Sequence, residues 1–281
     1  MRRKIGKSVV IIVAVVLWIG GLGLLLYPDI KSEWIRVEWK ADIDRFEQER
    51  KYATDAVYQK ISQYNQQIYD EKQKDLKDAW SYSQPLFSEE LQKLQTDIFG
   101  YIEIPRLDIK IPLYVGADSR HLNMGAAILA QTSMPIGGVN SNCVIAAHRG
   151  GITGEALFRD IEKLKVNDEI YITNPWDTLT YVVRETMVIQ PEDIDAVKIQ
   201  EQQDLITLIT CHPYPSSERR YLVFCERKGS NSGAIQVEKA AYQPSQSRID
   251  KEQAVRYVCA FSVCIITVFI IIRFFISRLR K

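Results

Sequence analysis

The sequence predicts a mainly-β protein: a closed or nearly closed β-barrel, preceded by a helical region and flanked by two transmembrane helices. Residues 99–228 carry short runs rich in Ile, Val, Thr and Tyr, separated by Pro, Gly, Asn and Asp, which is typical of small barrels. An apolar run of membrane-spanning length lies near each end of the chain. Residues 28–98 are rich in charged and amide side chains and show helical periodicity. These three observations divide the 281 residues into five regions.

The first region, residues 1–27, is predicted to be a basic cytoplasmic tip followed by a transmembrane helix. Its apolar run from Val9 to Tyr27 contains no charged residue, and Arg and Lys residues precede it. A cleaved signal peptide is the alternative, but such a peptide has a shorter apolar core that ends at a pair of small residues. The run ends in LLLYPDI, which offers no such pair, and this favours an uncleaved anchor.

The last region, residues 257–281, is predicted to be a second transmembrane helix with a basic cytoplasmic tail. The run from Tyr257 to Ile276 is interrupted only by Arg273, which can extend its guanidinium to the lipid headgroups. A buried core helix is the alternative, but the length and position of the run favour a membrane helix. Because basic flanks mark the cytoplasmic side, we expect both termini inside and the residues between the helices outside.

The charge distribution argues against nucleic acid as a partner. The chain has 36 basic and 35 acidic residues, but eight of the basic ones lie in residues 1–7 and 273–281. The remaining part is therefore acidic, with a net charge near −7. A nucleic-acid-binding domain carries a basic patch or stripe instead.

The second region, residues 28–98, is predicted to form one or two amphipathic helices. Val57, Ile61, Tyr64 and Ile68 recur at spacings of four, three and four residues, which places them on one helical face. This region is either a stalk or a helical layer packed on the barrel. The segment SYSQPLFSEE, residues 81–90, breaks the helical pattern and is predicted to be a loop, after which Ser88 caps a short helix.

The third region, residues 99–228, is predicted to be the barrel, with a short helix from Thr153 to Leu164 between its strands. About 130 residues suffice for one hydrophobic core. The fourth region, residues 229–256, is polar and is predicted to link the barrel to the second membrane helix.

Residue types needed for thiol-based acyl transfer lie at the ends of predicted strands. Cys211 ends the run TLITC, and His148 ends the run CVIAAH. Arg219 and Arg220 open the run that follows Cys211, and since neighbouring residues in a strand point to opposite faces, only one can face the thiol. A cation raises the thiolate fraction, and an arginine can bind an oxygen on which negative charge develops. A histidine with only a structural role on the surface is the alternative for His148.

The cysteine count leaves at least one thiol between the membrane helices unpaired. Cys143, Cys211 and Cys225 lie in the barrel region, and three cysteines cannot all pair. A disulfide between Cys143 and Cys225 would leave Cys211 free, but sequence alone does not test its geometry.

Together these motifs resemble those of the sortase family. The run TLITC followed by Arg220, with HRG upstream, matches the family pattern. The surrounding GYIEIPRLDIKIPLYVG, TSMPIGG and DEIYI resemble the class C, pilus-assembling branch, over roughly residues 99–228. The resemblance implies a closed eight-stranded barrel.

The resemblance also implies the activity. Cys211 matches the nucleophile, His148 the family histidine and Arg220 the family arginine, while Thr210 and His212 are assigned to substrate binding. The implied substrates are secreted pilins or surface proteins with an LPxTG-like C-terminal sorting signal, cut between Thr and Gly. The acyl group passes from Cys211 to an amine, in this branch a pilin lysine, with no cofactor or metal. A housekeeping-type sortase that attaches proteins to the cell wall is the alternative within the family.

Class C sortases usually cover the active site with a lid loop that bears an Asp-Pro-aromatic motif. Residues 81–90 are the predicted lid, but Gln84 precedes Pro85 and Leu86 follows it. This loop lacks the anchoring Asp, so we expect an open site with an accessible Cys211.

Two unrelated classes also remain as alternatives. An L,D-transpeptidase uses Cys, His and Arg, but its histidine precedes the cysteine in a Ser-His-Gly-Cys run, and TCHPY reverses that order. A papain-like protease needs an Asn or Asp to orient its histidine, and the sequence marks no candidate for it. A membrane-tethered binding module with an incidental thiol is the non-enzymatic alternative.

Overall fold

The computed structural model describes residues 2–81, 87, 91, 98–150, 157–229 and 244–279. Eight strands form a closed barrel in the order β1-β2-β3-β4-β7-β8-β6-β5. The strands are β1 (Gly100–Ile104), β2 (Ile109–Val115), β3 (Ala126–Ile128), β4 (Ser141–Ala146), β5 (Glu169–Thr173), β6 (Thr178–Ile189), β7 (Asp204–His212) and β8 (Arg219–Arg227). The pairs β2/β3 and β4/β7 are parallel, and the other neighbours are antiparallel. The predicted mainly-β barrel is confirmed.

Four helices accompany the barrel within the described residues: α1 (Arg2–Glu49), α2 (Asp55–Asp70), α3 (Ser119–Met124) and α4 (Gln246–Leu279). Short 3₁₀ turns lie at Arg50–Tyr52, Pro105–Leu107, Ile161–Lys163 and Pro191–Val197. The prediction of a helix from Thr153 to Leu164 is wrong for residues 157–164, the part that the structure describes. These residues are irregular except for the turn at Ile161–Lys163.

The strands bury one set of alternate residues inside the barrel and another set beneath an outer layer. The larger apolar cluster takes residues from all eight strands, as expected of a barrel interior, and includes Ile206, Leu208 and Val223. The second cluster takes the alternate residues, such as Ile209 and Leu222, and packs them against Leu76 and Ala79. Even-numbered residues of β7 therefore face inward, and odd-numbered ones face the outer layer.

Helix α2 packs on the barrel and does not form a free stalk. Ile61 and Ile68 from the predicted apolar stripe are 0% and 2% exposed. The Asn65 side chain donates to Met134 O at 3.0 Å and accepts from Met134 N at 2.7 Å, so it binds like a strand partner. These contacts favour the interpretation of residues 28–98 as a helical layer.

Both terminal helices are long and apolar enough to cross a membrane by length and composition. Helix α1 continues through Pro28 and reaches the barrel, where Trp39 Nε1 donates to Met124 O at 2.6 Å. Helix α4 begins at Gln246, so the last part of the predicted linker is helical, while residues 230–243 lie outside the described part of the chain. Arg256 and Asp29 join α4 to α1 at 2.7 Å.

Candidate active site

The hairpin of β7 and β8 places Cys211 directly opposite Arg220. The antiparallel register pairs Cys211 with Arg220 and His212 with Arg219. Cys211 is one of the odd-numbered residues of β7 and therefore faces the outer layer. Its cross-strand partner Arg220 shares that face. Strand spacing alone leaves the choice between the two arginines open, and this register agrees with Arg220, the residue that the resemblance implies.

His148 lies at the end of the neighbouring parallel strand. The pairing of β4 with β7 ends at Ala146 and Ile209. Ala147 N then donates to Ile209 O at 3.2 Å, and Thr210 Oγ1 donates to Ala147 O at 2.7 Å. These two bonds extend the register, so His148 follows β4 at the level at which Cys211 follows Thr210. The three predicted catalytic residues thus lie on one face at one end of the barrel.

Thr210 and His212, which the sequence assigns to substrate binding, are buried in this arrangement, and their assignment stays a prediction. Both are 0% exposed, because their even parity turns them toward the barrel interior. The Thr210 hydroxyl is bonded to Ala147 O, where it fixes the strand end that carries His148. The ring of His212 lies between Arg149 and Glu162 and packs against Tyr221 with ring centroids 5.6 Å apart.

The Asp78-Trp80 segment, just before the predicted lid, lies over this face. Asp78 Oδ1 accepts from Arg220 Nε at 2.6 Å, and Asp78 Oδ2 accepts from Arg220 Nη2 at 2.8 Å. Two such parallel bonds form a bidentate ion pair. Trp80 contributes its ring, which lies 4.9 Å from Arg220 Cζ and donates from Nε1 to His148 Nδ1 at 3.4 Å. Asp78 and Trp80 thus contact two of the three predicted catalytic residues.

The protein fixes this segment through Gln73, which is 2% exposed. Gln73 Nε2 donates to Gln131 O at 2.7 Å, and Gln73 Oε1 accepts from Ile199 N at 2.6 Å. Leu76 and Ala79 then bury their side chains against the outer cluster. Since both the amide and the apolar side chains are anchored, Asp78 and Trp80 are held over the site.

In this arrangement the thiol is kept neutral. Burial raises the pKa of Cys211 to about 11; the charge of Arg220 acts to lower it, that of Asp78 to raise it and that of Arg149 to lower it. Asp78 therefore opposes the cation that would otherwise favour the thiolate, besides occupying its hydrogen-bond donors.

Comparison with known proteins identifies the family. A family model described as "Sortase domain" matches residues 102–228. The chain is 31% identical to a structure of Clostridium perfringens sortase C with the C-terminal cell wall sorting motif, with a TM-score of 0.59, over 68% of this chain and 99% of that one. The chain belongs to the sortase family.

Other relatives agree with this assignment. Sortase C1 of GBS Pilus Island 1 is similar with a TM-score of 0.61 and 28% identity, over 71% of this chain and 97% of that one. A curated Sortase A of Streptococcus agalactiae is 27% identical over 56% of this chain and 66% of its own length. The family is one of cysteine transpeptidases, and the structural neighbours belong to its pilus-related class C branch.

The sortase has an acid-x-aromatic sequence just before the predicted lid, similar to the motif expected in the lid loop. The motif is Asp78-Ala79-Trp80, with Ala79 where the branch usually has Pro. The expectation that the anchoring Asp is missing is wrong, because the Asp78 carboxylate binds Arg220. Most of the predicted lid at 81–90, with Gln84 and the cap Ser88, lies outside the described residues.

The sortase has no disulfide between Cys143 and Cys225. Both thiols are buried and free, and burial raises the pKa of each well above its usual value. Cys143 and Cys225 each pair with Ile206, on opposite sides of β7. Two strand spacings, roughly 10 Å, therefore separate them, beyond the reach of a disulfide.

Proposed function

We propose that this sortase is a membrane-anchored transpeptidase that cuts an LPxTG-like sorting signal between Thr and Gly and transfers the acyl group to an amine, in pilus polymerisation a pilin lysine. The observation that carries the proposal is the placement of Cys211 directly opposite Arg220, with His148 at the end of the adjoining strand. A nucleophile, an acid and an oxyanion-binding cation are the groups that this acyl transfer requires.

The reaction divides into two steps. The Cys211 thiolate attacks the Thr carbonyl, and the Thr–Gly bond breaks as His148 donates a proton to the leaving Gly amine. Arg220 donates hydrogen bonds to the carbonyl oxygen, on which negative charge develops. An incoming amine then attacks the thioester, gives up a proton to the histidine, and releases Cys211 with a new amide bond formed.

The Asp78-Trp80 segment makes the described arrangement a closed one. Arg220 cannot bind a substrate oxygen through Nε and Nη2 while Asp78 holds both donors. Trp80 packs against the His148 imidazole and donates a hydrogen bond to it. Substrate binding therefore requires the segment to move, and its departure removes the negative charge that opposes thiolate formation.

Two features support the pilus-related role and membrane attachment. The structural neighbours are pilus-related class C sortases, and one is named with a C-terminal cell wall sorting motif. The helices α1 and α4 are of membrane-spanning length, and with basic flanks at both ends they would place the barrel outside the cytoplasm. A sorting signal on a secreted protein would then reach Cys211 at the outer face of the cell membrane.

The proposal is tested by incubating the full-length protein in detergent micelles with sorting-signal peptides and candidate amines. We expect a thioacyl adduct on the Cys211 peptide by mass spectrometry and a ligated product that depends on the amine. Cys211→Ala should abolish both, whereas Cys143→Ala, which removes a buried thiol, should not. Ligation to a pilin lysine favours pilus polymerisation, and ligation only to a cell-wall amine favours the housekeeping-type alternative. No adduct with any peptide in a panel of sorting motifs would overturn the proposal.

A further inference from the structure

A buried carboxylate lies behind the active site, at the point where the C-terminal helix meets the barrel. The Glu162 side chain is 1% exposed. It belongs to the 3₁₀ turn Ile161–Lys163, between β4 and β5. Burying an isolated carboxylate costs free energy, so the groups that compensate its charge show which parts of the fold it holds together.

On one side, Glu162 binds the residues that directly follow two of the proposed catalytic groups. Arg149, next to His148, forms a close ion pair with Glu162 Oε1. His212, next to Cys211, has Nδ1 at 3.4 Å from the same oxygen. Arg149 Nη1 also lies 3.4 Å from Cys211 O, within reach of a weak hydrogen bond. One carboxylate thus connects the loop after β4 with the end of β7.

On the other side, Glu162 binds the start of helix α4. Ser245 N and Gln246 N both donate to Glu162 Oε2 at 3.1 Å, and Ser245 Oγ donates to Glu162 Oε1 at 2.6 Å. The two backbone amides are donors that a helix N-terminus leaves without an intrahelical partner, and the helix dipole also favours a negative charge there. Ser245 is 4% exposed, so the contact is shielded from water. The carboxylate therefore acts as a cap supplied by the barrel.

We propose that Glu162 is a positioning residue that couples the docking of helix α4 to the arrangement of His148 and Cys211. Its Oε1 is shared between Ser245 Oγ at the helix start and the Arg149–His212 pair, and its Oε2 accepts from the helix amides, so a change on one side alters the interaction on the other. Such coupling is reciprocal by thermodynamic necessity. The inference rests on the proposed function only for the catalytic importance of His148 and Cys211; the coupling itself concerns the described contacts.

The coupling has an electrostatic consequence at Cys211. The charged groups that act on this thiol are Arg220, Asp78 and Arg149, and His148 follows the adjoining strand. Glu162 neutralises Arg149 through their ion pair. In Glu162→Gln the arginine keeps a hydrogen-bond acceptor but loses its counter-charge, so its field at Cys211 grows and favours the thiolate.

The test uses the full-length protein in detergent micelles, with Glu162→Gln and the control Asp250→Asn. Asp250 lies on helix α4 and pairs with Lys163, next to Glu162, at 3.3 Å, but both of these side chains are exposed. Two quantities are measured by mass spectrometry: hydrogen exchange of the amides at residues 245–246, and iodoacetamide labelling of the Cys211 peptide at pH 8. Labelling requires no sorting signal, so a failed transpeptidase assay leaves this test intact.

We expect Glu162→Gln to accelerate exchange at residues 245–246 and to raise the Cys211 labelling rate by about tenfold, the effect of a pKa lower by about one unit. Asp250→Asn should change neither quantity. A variant that changes only the exchange would show an ordinary helix cap, one that changes only the labelling would show a local charge effect, and either result overturns the coupling.

Ser245→Ala tests the same coupling from the helix side if Glu162→Gln fails to fold. It removes one donor to Glu162 and leaves the barrel intact. Without the serine, Glu162 Oε1 neutralises Arg149 more strongly, so we expect Cys211 labelling to slow by about twofold while exchange at residues 245–246 accelerates. An unchanged Cys211 labelling rate would overturn the proposal.

Discussion

Asp78 and Arg220 form a bidentate ion pair across the mouth of the site, with the two N–O distances at 2.6 and 2.8 Å. Their side chains are 10% and 6% exposed, so the pair is largely shielded from water. The Nε and Nη2 donors of the guanidinium opposite Cys211 are thereby occupied. This ion pair joins the Asp78-Trp80 segment to Arg220, the proposed oxyanion-binding residue, which is the arrangement expected of self-inhibition.

The first prediction concerns the thiol when this pair is broken. In Asp78→Asn the negative charge that raises the pKa of Cys211 is lost, while Arg220, which lowers it, remains. Since the folded pKa lies above neutral, a decrease of about one unit raises the thiolate fraction about tenfold at any pH below it. Iodoacetamide labelling of the Cys211 peptide at pH 8 should accelerate by at least that factor. The control Asp75→Asn changes an exposed carboxylate of the same segment and should label at the wild-type rate. Equal rates in Asp78→Asn and wild type would show that the segment does not restrain the thiol.

The second prediction uses the register of β7 and β8. Arg220→Ala should lower the rate of transpeptidation by about a hundredfold or more, because it removes the donor facing the developing oxyanion. Arg219→Ala should change it by less than about fivefold, since Arg219 pairs with His212 on the other face. Steady-state ligation of a sorting-signal peptide to an amine measures both. An essential Arg219 with a dispensable Arg220 would mean that the assigned faces are reversed.

The third prediction separates stability from positioning with two buried threonines of β7. Thr210 Oγ1 donates to Ala147 O at 2.7 Å, and Thr207 Oγ1 donates to Asn142 Oδ1 at 2.9 Å. Replacement of either by Val leaves a buried acceptor without its donor and should cost about 1–3 kcal/mol in the free energy of unfolding. Only Thr210→Val should also lower turnover, because Ala147 precedes His148. Thermal unfolding and ligation rates, measured on both variants, distinguish the two effects; equal activity in both would remove the positioning role of Thr210.

The barrel and its catalytic face could be predicted from the sequence because their signals are local. Strand runs bounded by turn residues mark the barrel, and the residues that end them, Cys211 and His148, come together through the parallel pairing of β4 and β7. Strand spacing could not choose between Arg219 and Arg220, and only the family resemblance pointed to Arg220. The physical reason for the choice is the register, which depends on the length and conformation of the loop between β7 and β8.

The sequence places the predicted lid at residues 81–90 and not at the Asp78-Trp80 segment, for a physical reason. Pro85 is the stronger local signal for a loop, and the residue directly before it is Gln84 and not an acid. The acid-x-aromatic order of Asp78 and Trp80 is present in the sequence, but Ala79 stands at the position where the expected motif has a proline. Glu162 gave no local signal at all, because its partners Arg149, His212 and Ser245 come from three distant parts of the chain.

The fourth prediction concerns the acid stability that Glu162 provides. Burial acts to raise its pKa, but hydrogen bonds from His212 and Ser245 and the charge of Arg149 outweigh this and lower the pKa well below its usual value. A lowered folded pKa stabilises the protein above the unfolded value of about 4.3, and this stability is lost as the pH falls further. Glu162→Gln should therefore be less stable than wild type at pH 7, with a smaller difference at pH 3. Thermal unfolding at both pH values measures this, with the exposed Glu201→Gln as control. A difference that stays constant with pH would show that the ionised form of Glu162 is not what stabilises the fold.

The last prediction concerns orientation in the membrane. The basic residues before α1 becomes apolar and those at the end of α4 should both lie on the cytoplasmic side, because positive flanks resist translocation. The two helices would then enter the membrane from the same outer side, in agreement with the Arg256–Asp29 pair that joins α4 to α1. Protease added to intact protoplasts should digest the barrel and leave tags at both termini protected. Lysed protoplasts, in which the tags should also be digested, provide the control. A protected barrel in intact cells would place the active site in the cytoplasm, where secreted substrates could not reach Cys211.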